Sequence, residues 1–324
     1  MNSIFKDPFN DLLSKHRTFI LGCAMIAIML FHQPFFHDNL FVMGFHFFGL
    51  WGVDLFLMIS GFGIVYSLKK NSVKQYYINR INRLVPACLF VGLCKWGLMQ
   101  IGFEYISIFK FNFILIVSSL SLWYIYAVLF YYTLAPILYK LILRYKYWIL
   151  LGACIFAYCL SYIHWGASQS YLVSRLGWII ERFPAFVFGM CIALFPIKKL
   201  NVKRMFWWGI IPLLVCMTLR VTHIPGHGRV IYLILLLALP MLCILAVLFE
   251  QLLKKVKINR AVEYIGTISL ELYLWHEFIF LNLHSNAMFT DLSIWVKFII
   301  AFGASILLAH FTHILIQRVP RLLE

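Results

Sequence analysis

Long apolar runs recur along the whole chain, and they constrain its fold more than any other feature. A helix needs about 20 predominantly apolar residues to cross a hydrocarbon core that is roughly 30 Å thick. Runs of this kind lie near residues 18–36, 44–68, 84–102, 119–142, 147–164, 178–195, 205–221, 230–250, 262–282 and 293–315. The sequence therefore predicts an all-α integral membrane protein, a bundle of about ten transmembrane helices.

The composition excludes a water-soluble protein of this length. Of the 324 residues, 63% are hydrophobic and only 12% are charged, and a soluble domain could not bury that much apolar surface. Prolines interrupt several runs, at Pro136, Pro184 and Pro240, but neighbouring helices can satisfy the backbone groups that proline frees inside a membrane. Because no long linker or polar domain separates the runs, we expect residues 1–324 to form a single polytopic membrane domain.

The basic residues follow a topological pattern. They concentrate in alternate connecting segments, whereas the opposite loops hold only Lys110, Arg175 and Arg229. Because cytoplasmic loops carry an excess of lysine and arginine, we expect both termini on the cytoplasmic side of the cell inner (cytoplasmic) membrane. The formal net charge of +16 therefore reflects orientation in a lipid bilayer, and nucleic acid is not expected as a partner.

A few ionisable residues lie inside the apolar runs, where insertion of a charge costs roughly 2.5–3.5 kcal/mol and usually indicates a function or a partner. The predicted orientation puts them in the middle or outer half of four different spans. Asp54 either orients a histidine or binds a neighbouring helix, and Glu181 and Arg182 either take part in catalysis or neutralise one another. The candidate catalytic residues are His32, Asp54, Glu181, Arg182 and His276.

Arg80 and Arg83 lie instead in a basic segment on the predicted cytoplasmic side. Residues three apart on a helix share a face, so the two guanidinium groups could hold a phosphate between them. The simpler alternative is that they anchor a loop to anionic lipid. The eight cysteines lack the spacing of metal ligands, and no metal site is predicted.

Several short motifs occur in a characteristic order. Residues Gly52–Phe62 read GVDLFLMISGF, and Arg80–Pro86 read RINRLVP. Together they resemble the acyltransferase-3 family of membrane acyltransferases, and the resemblance covers most of the chain. Weaker matches support it, at Leu30–His32, Leu122–Ile125, Arg182–Met190, Gly266–Ser269 and Tyr273–His276.

The resemblance implies an enzyme of about ten helices that transfers an acyl group, commonly acetyl from acetyl-CoA, to a carbohydrate hydroxyl outside the cytoplasm. His32 would be the general base or a transient acyl carrier, roles that suit an imidazole because it titrates near neutral pH. Arg80 and Arg83 would hold the phosphates of coenzyme A. The partners implied are an acyl-CoA donor and a glycan or lipid-linked saccharide acceptor.

The sequence departs from the resemblance at Leu21, where an arginine is expected eleven residues before His32. The nearest arginine, Arg17, is about 22 Å from His32 along an ideal helix, too far for direct contact. Two other functions therefore stay open. One is a transporter or proton relay that uses the buried ionisable residues, and the other is a noncatalytic sensor or scaffold derived from the enzyme.

Overall fold

The computed structural model describes residues 9–36, 40–103, 123–166, 171–195, 202–221 and 227–318. Within these ranges the chain is helical and contains no β-strand, and a short 3-10 turn at Ala287–Phe289 precedes the last helix. The helices in chain order are α1 (Phe9–His32), α2 (Leu40–Lys70), α3 (Val73–Gln100), α4 (Trp123–Tyr145), α5 (Trp148–Gly166), α6 (Tyr171–Leu194), α7 (Val202–Val221), α8 (His227–Lys255), α9 (Asn259–Thr267), α10 (Ser269–Ser285) and α11 (Ile294–Arg318).

In the described part of the chain, seven helical segments are long and apolar enough to cross a membrane. Two shorter apolar segments lie in α5 and α7, at Trp148–Leu160 and Arg204–Leu219. The prediction of an all-helical, multi-pass membrane protein is confirmed, whereas the count of about ten spans and the cytoplasmic location of the termini stay predictions. The seven segments are Phe9–His32, Trp51–Lys70, Val73–Gln100, Trp123–Tyr145, Leu176–Leu194, Ile231–Lys255 and Ile294–Arg318.

The chain folds into two compact units. The first unit comprises residues 1–20, 53–73 and 123–259, and the second unit comprises residues 21–52, 74–122 and 260–324. Each unit is thus assembled from segments that are far apart in the sequence. The division does not coincide with a linker, and the single membrane domain expected from the sequence stays a prediction.

The first unit is organised around α6, which packs against α4, α5 and α8, while α7 packs along α8. Two glycines allow the backbones of α2 and α6 to touch. A Cβ atom at Gly61 would clash with the carbonyl oxygen of Phe186, and a Cβ atom at Gly189 would clash with the carbonyl oxygen of Met58. This reciprocal contact is the close approach that small residues permit between membrane helices.

The second unit is held together by close packing at its glycines and by polar contacts between its helices. A Cβ atom at Gly52 in α2 would lie 2.6 Å from the carbonyl oxygen of Ala24 in α1, so these helices also approach closely. Helix α10 packs along α11, where the indole Nε1 of Trp275 donates to the hydroxyl of Thr312 at 3.0 Å. These contacts fix α10, which carries His276.

Candidate active site

Two histidines from distant parts of the sequence meet in the second unit. His32 is the last residue of α1 and is half-buried, whereas His276 lies near the middle of α10 and is 1% exposed. The Nε2 atom of His276 is 3.4 Å from the Nδ1 atom of His32, and the rings meet edge to face with centroids 5.1 Å apart. The structure therefore brings together two of the five candidate catalytic residues.

Backbone carbonyls determine which nitrogen of each ring carries the proton. Nδ1 of His276 lies 2.8 Å from the carbonyl oxygen of Tyr273 and 3.2 Å from that of Leu272. A carbonyl oxygen can only accept a hydrogen bond, so neutral His276 is protonated at Nδ1 and its Nε2 is an acceptor. Nδ1 of His32 faces this acceptor and also the carbonyl oxygen of Ile28 at 3.0 Å. His32 must therefore be protonated at Nδ1.

This arrangement leaves Nε2 as the basic nitrogen of His32. Within the described residues, no hydrogen bond is formed by that atom. A neutral imidazole whose Nδ1 proton is held by two acceptors presents its other nitrogen as a lone pair. The pair can thus accept a proton at His32, and the charge that results would be shared with His276.

A buried carboxylate lies five residues before His276 on the same helix. Glu271 is fully buried, and its two oxygens lie 2.6 and 3.3 Å from the guanidinium nitrogens of Arg83. Nδ1 of His313 is 3.1 Å from the same carboxylate, and its Nε2 lies 2.8 Å from the side-chain amide of Gln317. Glu271 therefore joins α3, α10 and α11 through charged and polar contacts.

The two arginines proposed to bind coenzyme A lie within helix α3, whereas the sequence predicted a polar loop ahead of the apolar run at this point. The guanidinium of Arg80 lies over the ring of Tyr76, 5.6 Å from its centroid. Arg83 is bound to Glu271, but 41% of its side chain stays exposed. A guanidinium carries five N–H donors, so Arg83 can bind this carboxylate and a phosphate at the same time.

A second polar cluster lies inside the first unit. A guanidinium nitrogen of Arg182 is 3.0 Å from the carboxylate of Asp54, and both side chains are buried. The guanidinium also lies over two aromatic rings, 5.2 Å from the centroid of Trp123 and 4.4 Å from that of Tyr232. Glu181 is buried as well, with 4% of its surface exposed. Asp54, on another helix, thus forms an ion pair with Arg182.

The candidate residues therefore fall into two groups. His32, His276, Arg80 and Arg83 belong to the second unit, and the other three candidates belong to the first. The histidine pair supplies a base, and the arginines of α3 supply positive charge for an anion. The group in the first unit consists of Asp54, Glu181 and Arg182.

Sequence reasoning missed several buried polar residues. Glu271 binds Arg83, Lys95 is 2% exposed inside α3, and His16 lies 2.6 Å from the carboxylate of Glu250. Each of these residues is ionisable and lies within or beside an apolar run, the signal that selected Asp54. The pairings of Glu271 and His16 could not be read from the sequence, because each partner lies on a helix that is distant in the chain.

The described residues hold no group of three or more His, Cys, Asp or Glu side chains that could bind a metal ion. All eight cysteines are free thiols.

A family model described as an acyltransferase domain matches residues 21–313. The match covers most of the chain and includes both histidines of the pair, both arginines of α3 and the cluster around Asp54. Comparison with curated proteins and with solved structures finds no match.

Proposed function

The chain belongs to the acyltransferase-3 family of membrane acyltransferases, and on this premise we propose that it transfers an acetyl group from acetyl-CoA to a hydroxyl of a cell-surface or exported glycan. The observation that best supports an acyl transfer role is the arrangement of His32, whose Nδ1 proton is held by Ile28 and His276. Acyl transfer to a hydroxyl needs a base at the attacking oxygen, and the remaining nitrogen of His32 is suited to that task.

In the proposed reaction, Nε2 of His32 accepts the proton of the acceptor hydroxyl while its oxygen attacks the carbonyl carbon of the thioester. The imidazolium formed in this way keeps its Nδ1 proton between the Ile28 carbonyl and Nε2 of His276. The same proton then passes from Nε2 to the departing thiolate, which gives coenzyme A and the acetyl ester. If His32 acts as an acyl carrier instead, Nε2 is again the atom that reacts.

Arg80 and Arg83 are proposed to hold the phosphates of the donor. Their guanidinium groups provide charged N–H donors that match phosphate oxygens, and Glu271 keeps Arg83 in a defined position. Arg83 lies twelve residues before Lys95 and three after Arg80 on α3, so the phosphates would bind toward the N-terminal end of this helix. The chain of the donor then extends toward the histidine pair.

The acceptor is proposed to be a glycan or a lipid-linked saccharide that meets the enzyme on the outer side of the cell inner (cytoplasmic) membrane. The alternating basic loops support this orientation, because they put Arg80 on the cytoplasmic side and His32 near the outer end of its span. Donor and acceptor would then approach from opposite sides of the bilayer.

The proposal is tested by following radiolabel from acetyl-CoA to surface glycan in membranes that carry the wild type or His32→Ala at matched expression. We expect the wild type to transfer label and His32→Ala to lose at least about 100-fold in rate. His284→Ala is the matched control, because His284 is an exposed histidine of α10. Incubation without acceptor separates the two roles of His32, since only an acyl carrier retains label on the protein.

Absence of both label transfer and acyl-CoA binding in the wild type would overturn the proposal. Substrate flux into proteoliposomes without acyl transfer would then favour a transporter or proton relay. Wild-type function that persists in His32→Ala would favour a noncatalytic sensor.

A further inference from the structure

A lysine is buried in the second unit, inside a helix that is apolar enough to cross a membrane. Lys95 lies in α3, and only 2% of its surface is exposed. A charge at such a position is costly to insert into a membrane. A lysine near a helix end can extend its ammonium to the interface, but Lys95 is buried against α10 instead. A buried lysine in such a helix usually has a charged partner or a function.

The contacts of Lys95 within the described residues leave its ammonium without a strong partner. Nζ lies over the ring of Phe278, 5.5 Å from its centroid. Glu277 and Cys88 interact with it electrostatically, but no carboxylate there comes within ion-pair distance and no hydrogen bond to Nζ is formed. An ammonium carries three N–H donors. A cation–π contact attracts the charge but gives these donors no hydrogen-bond acceptor.

Three contacts show how Lys95 is placed relative to the histidine pair. In α3, Arg83 contacts Glu271 and Lys95 contacts Phe278, and just after the helix Gly102 accepts a hydrogen bond from the side chain of Asn286. The residue numbers of the two partners increase together from one contact to the next, so α3 and α10 run parallel in the second unit.

His276 lies between the first two of these contacts, two residues and about 3 Å along the helix axis before Phe278. Lys95 also interacts electrostatically with His276. The ammonium of Lys95 thus lies near the level of His276 along the helix axis, and it lies over Phe278, whose side chain leaves α10 on a different side from that of His276.

We propose that Lys95 is a further catalytic residue, whose ammonium donates a hydrogen bond to the carbonyl oxygen of the acetyl thioester and stabilises the negative charge that develops there. This inference rests on the proposed acyl transfer. A preorganised cation in a site that excludes water stabilises an oxyanion more than it would in bulk water. Lys95 supplies this charge from α3. The resemblance described above would have put an arginine at position 21 of α1, where this chain has a leucine.

The step is the addition and collapse of a tetrahedral intermediate. The acceptor oxygen bonds to the thioester carbon as its proton moves to Nε2 of His32, and the carbonyl electron pair moves onto the oxygen that Lys95 contacts. When the carbonyl reforms, the carbon–sulfur bond breaks and its electron pair leaves with the thiolate. His32 then returns the proton to sulfur, and the ammonium of Lys95 stays protonated throughout.

The competing explanation is that Lys95 only balances the charge of Glu277. The two are separated by comparing transfer kinetics of purified wild type, Lys95→Met, Glu277→Gln and the double variant. We expect Lys95→Met to lower kcat by about 100- to 1,000-fold with an unchanged KM for acetyl-CoA, and the double variant to be equally slow. Lys297→Met is the matched control, because Lys297 is a half-buried lysine near the start of another membrane helix.

A binding measurement tests the role of Lys95 without depending on catalytic turnover. S-carboxymethyl-CoA carries a carboxylate one carbon beyond the position of the acetyl carbonyl carbon, so a cation that faces the thioester oxygen should also attract this negative charge. We expect Lys95→Met to bind this analogue about 10-fold less tightly and acetyl-CoA equally well, while Lys95→Arg retains affinity for both. Thermal unfolding in detergent identifies any variant that does not fold, and Lys95→Gln then replaces Lys95→Met.

A wild-type rate in Lys95→Met, or recovery of that rate in the double variant, would overturn the role of Lys95 while leaving acyl transfer intact. Equal loss of affinity for the analogue and for acetyl-CoA would likewise overturn it. A wild type that transfers no acetyl group would instead overturn the proposed function.

Discussion

The Nε2 atom of His276 lies 3.4 Å from the Nδ1 atom of His32. Because backbone carbonyls hold the proton of His276 on its other nitrogen, this contact orients the ring of His32 and fixes its tautomer. His276 is therefore a positioning residue, which acts on the reaction through His32. A histidine that acts in this way is tested differently from one that contacts the substrate.

His276→Phe keeps a ring of similar size but removes the acceptor that faces His32. We expect kcat to fall by about 100-fold while the KM for acetyl-CoA is unchanged, because the other tautomer of His32 becomes accessible and the imidazolium loses a partner. Steady-state kinetics with labelled acetyl-CoA check this, with His284→Phe as the control on the same helix. A rise in KM alone would assign His276 to donor binding.

Arg83 and Glu271 form the link between α3 and α10. Arg83→Met leaves a fully buried carboxylate with one charged partner fewer, and we expect it to lower the free energy of unfolding by about 1–3 kcal/mol, a value that allows for the partial exposure of the arginine. Chemical denaturation in detergent measures this loss. The double variant Arg83→Met/Glu271→Met should recover most of it, because no buried charge is then left unpaired.

Arg80→Met is the comparison for this pair, since Arg80 contacts an aromatic ring. We expect it to raise the KM for acetyl-CoA with little loss of stability. If Arg80→Met and Arg83→Met destabilise the protein equally, the Arg83–Glu271 ion pair has no special role in holding the helices.

The helices were predictable from the sequence, because apolar runs long enough to cross a bilayer permit almost no other structure. Residues such as Asp54 and His276 stood out for the same physical reason, since an ionisable group inside a run is costly. The helix that carries Arg80 and Arg83 begins before its apolar run, and the polar residues there indicated a loop instead. These patterns predict whether a residue lies in an apolar segment, but they do not identify the residues that it contacts.

The pairing of the buried groups was not predictable. Glu181 and Arg182 are adjacent, which suggested mutual neutralisation, but consecutive side chains on a helix point about 100° apart. Arg182 reaches Asp54 on α2, 128 positions earlier in the sequence. Glu271 was overlooked because its partner Arg83 lies 188 positions away in the sequence. Contacts of this kind depend on how helices pack, and a single sequence carries little information about it.

The Asp54–Arg182 pair makes a prediction about stability in the first unit. Both side chains are buried, so Arg182→Gln leaves the Asp54 carboxylate without its guanidinium partner and should cost about 3–5 kcal/mol. Asp54→Asn/Arg182→Gln should be considerably more stable than Arg182→Gln alone. Thermal unfolding of the purified variants compares them, and equal melting temperatures for the single and double variants would contradict a stabilising ion pair.

The close approach of α2 and α6 at Gly61 and Gly189 supports the last prediction. A Cβ atom at Gly61 would clash with a backbone oxygen of α6, and backbone in a packed helix cannot move aside as a flexible side chain can. We therefore expect Gly61→Ala to destabilise the protein by about 1–3 kcal/mol or more, and Gly189→Ala to act similarly from the other helix.

Gly152→Ala provides the matched control for this prediction, because a Cβ atom at Gly152 meets no atom within 4 Å. It should leave stability unchanged or raise it by up to about 1 kcal/mol, since alanine favours the helix more than glycine does. Melting temperatures measured in the same detergent compare the three variants. If Gly61→Ala behaves like Gly152→Ala, then α2 and α6 do not approach as closely as their glycines allow, and the helix contact that supports the Asp54–Arg182 pair would need another origin.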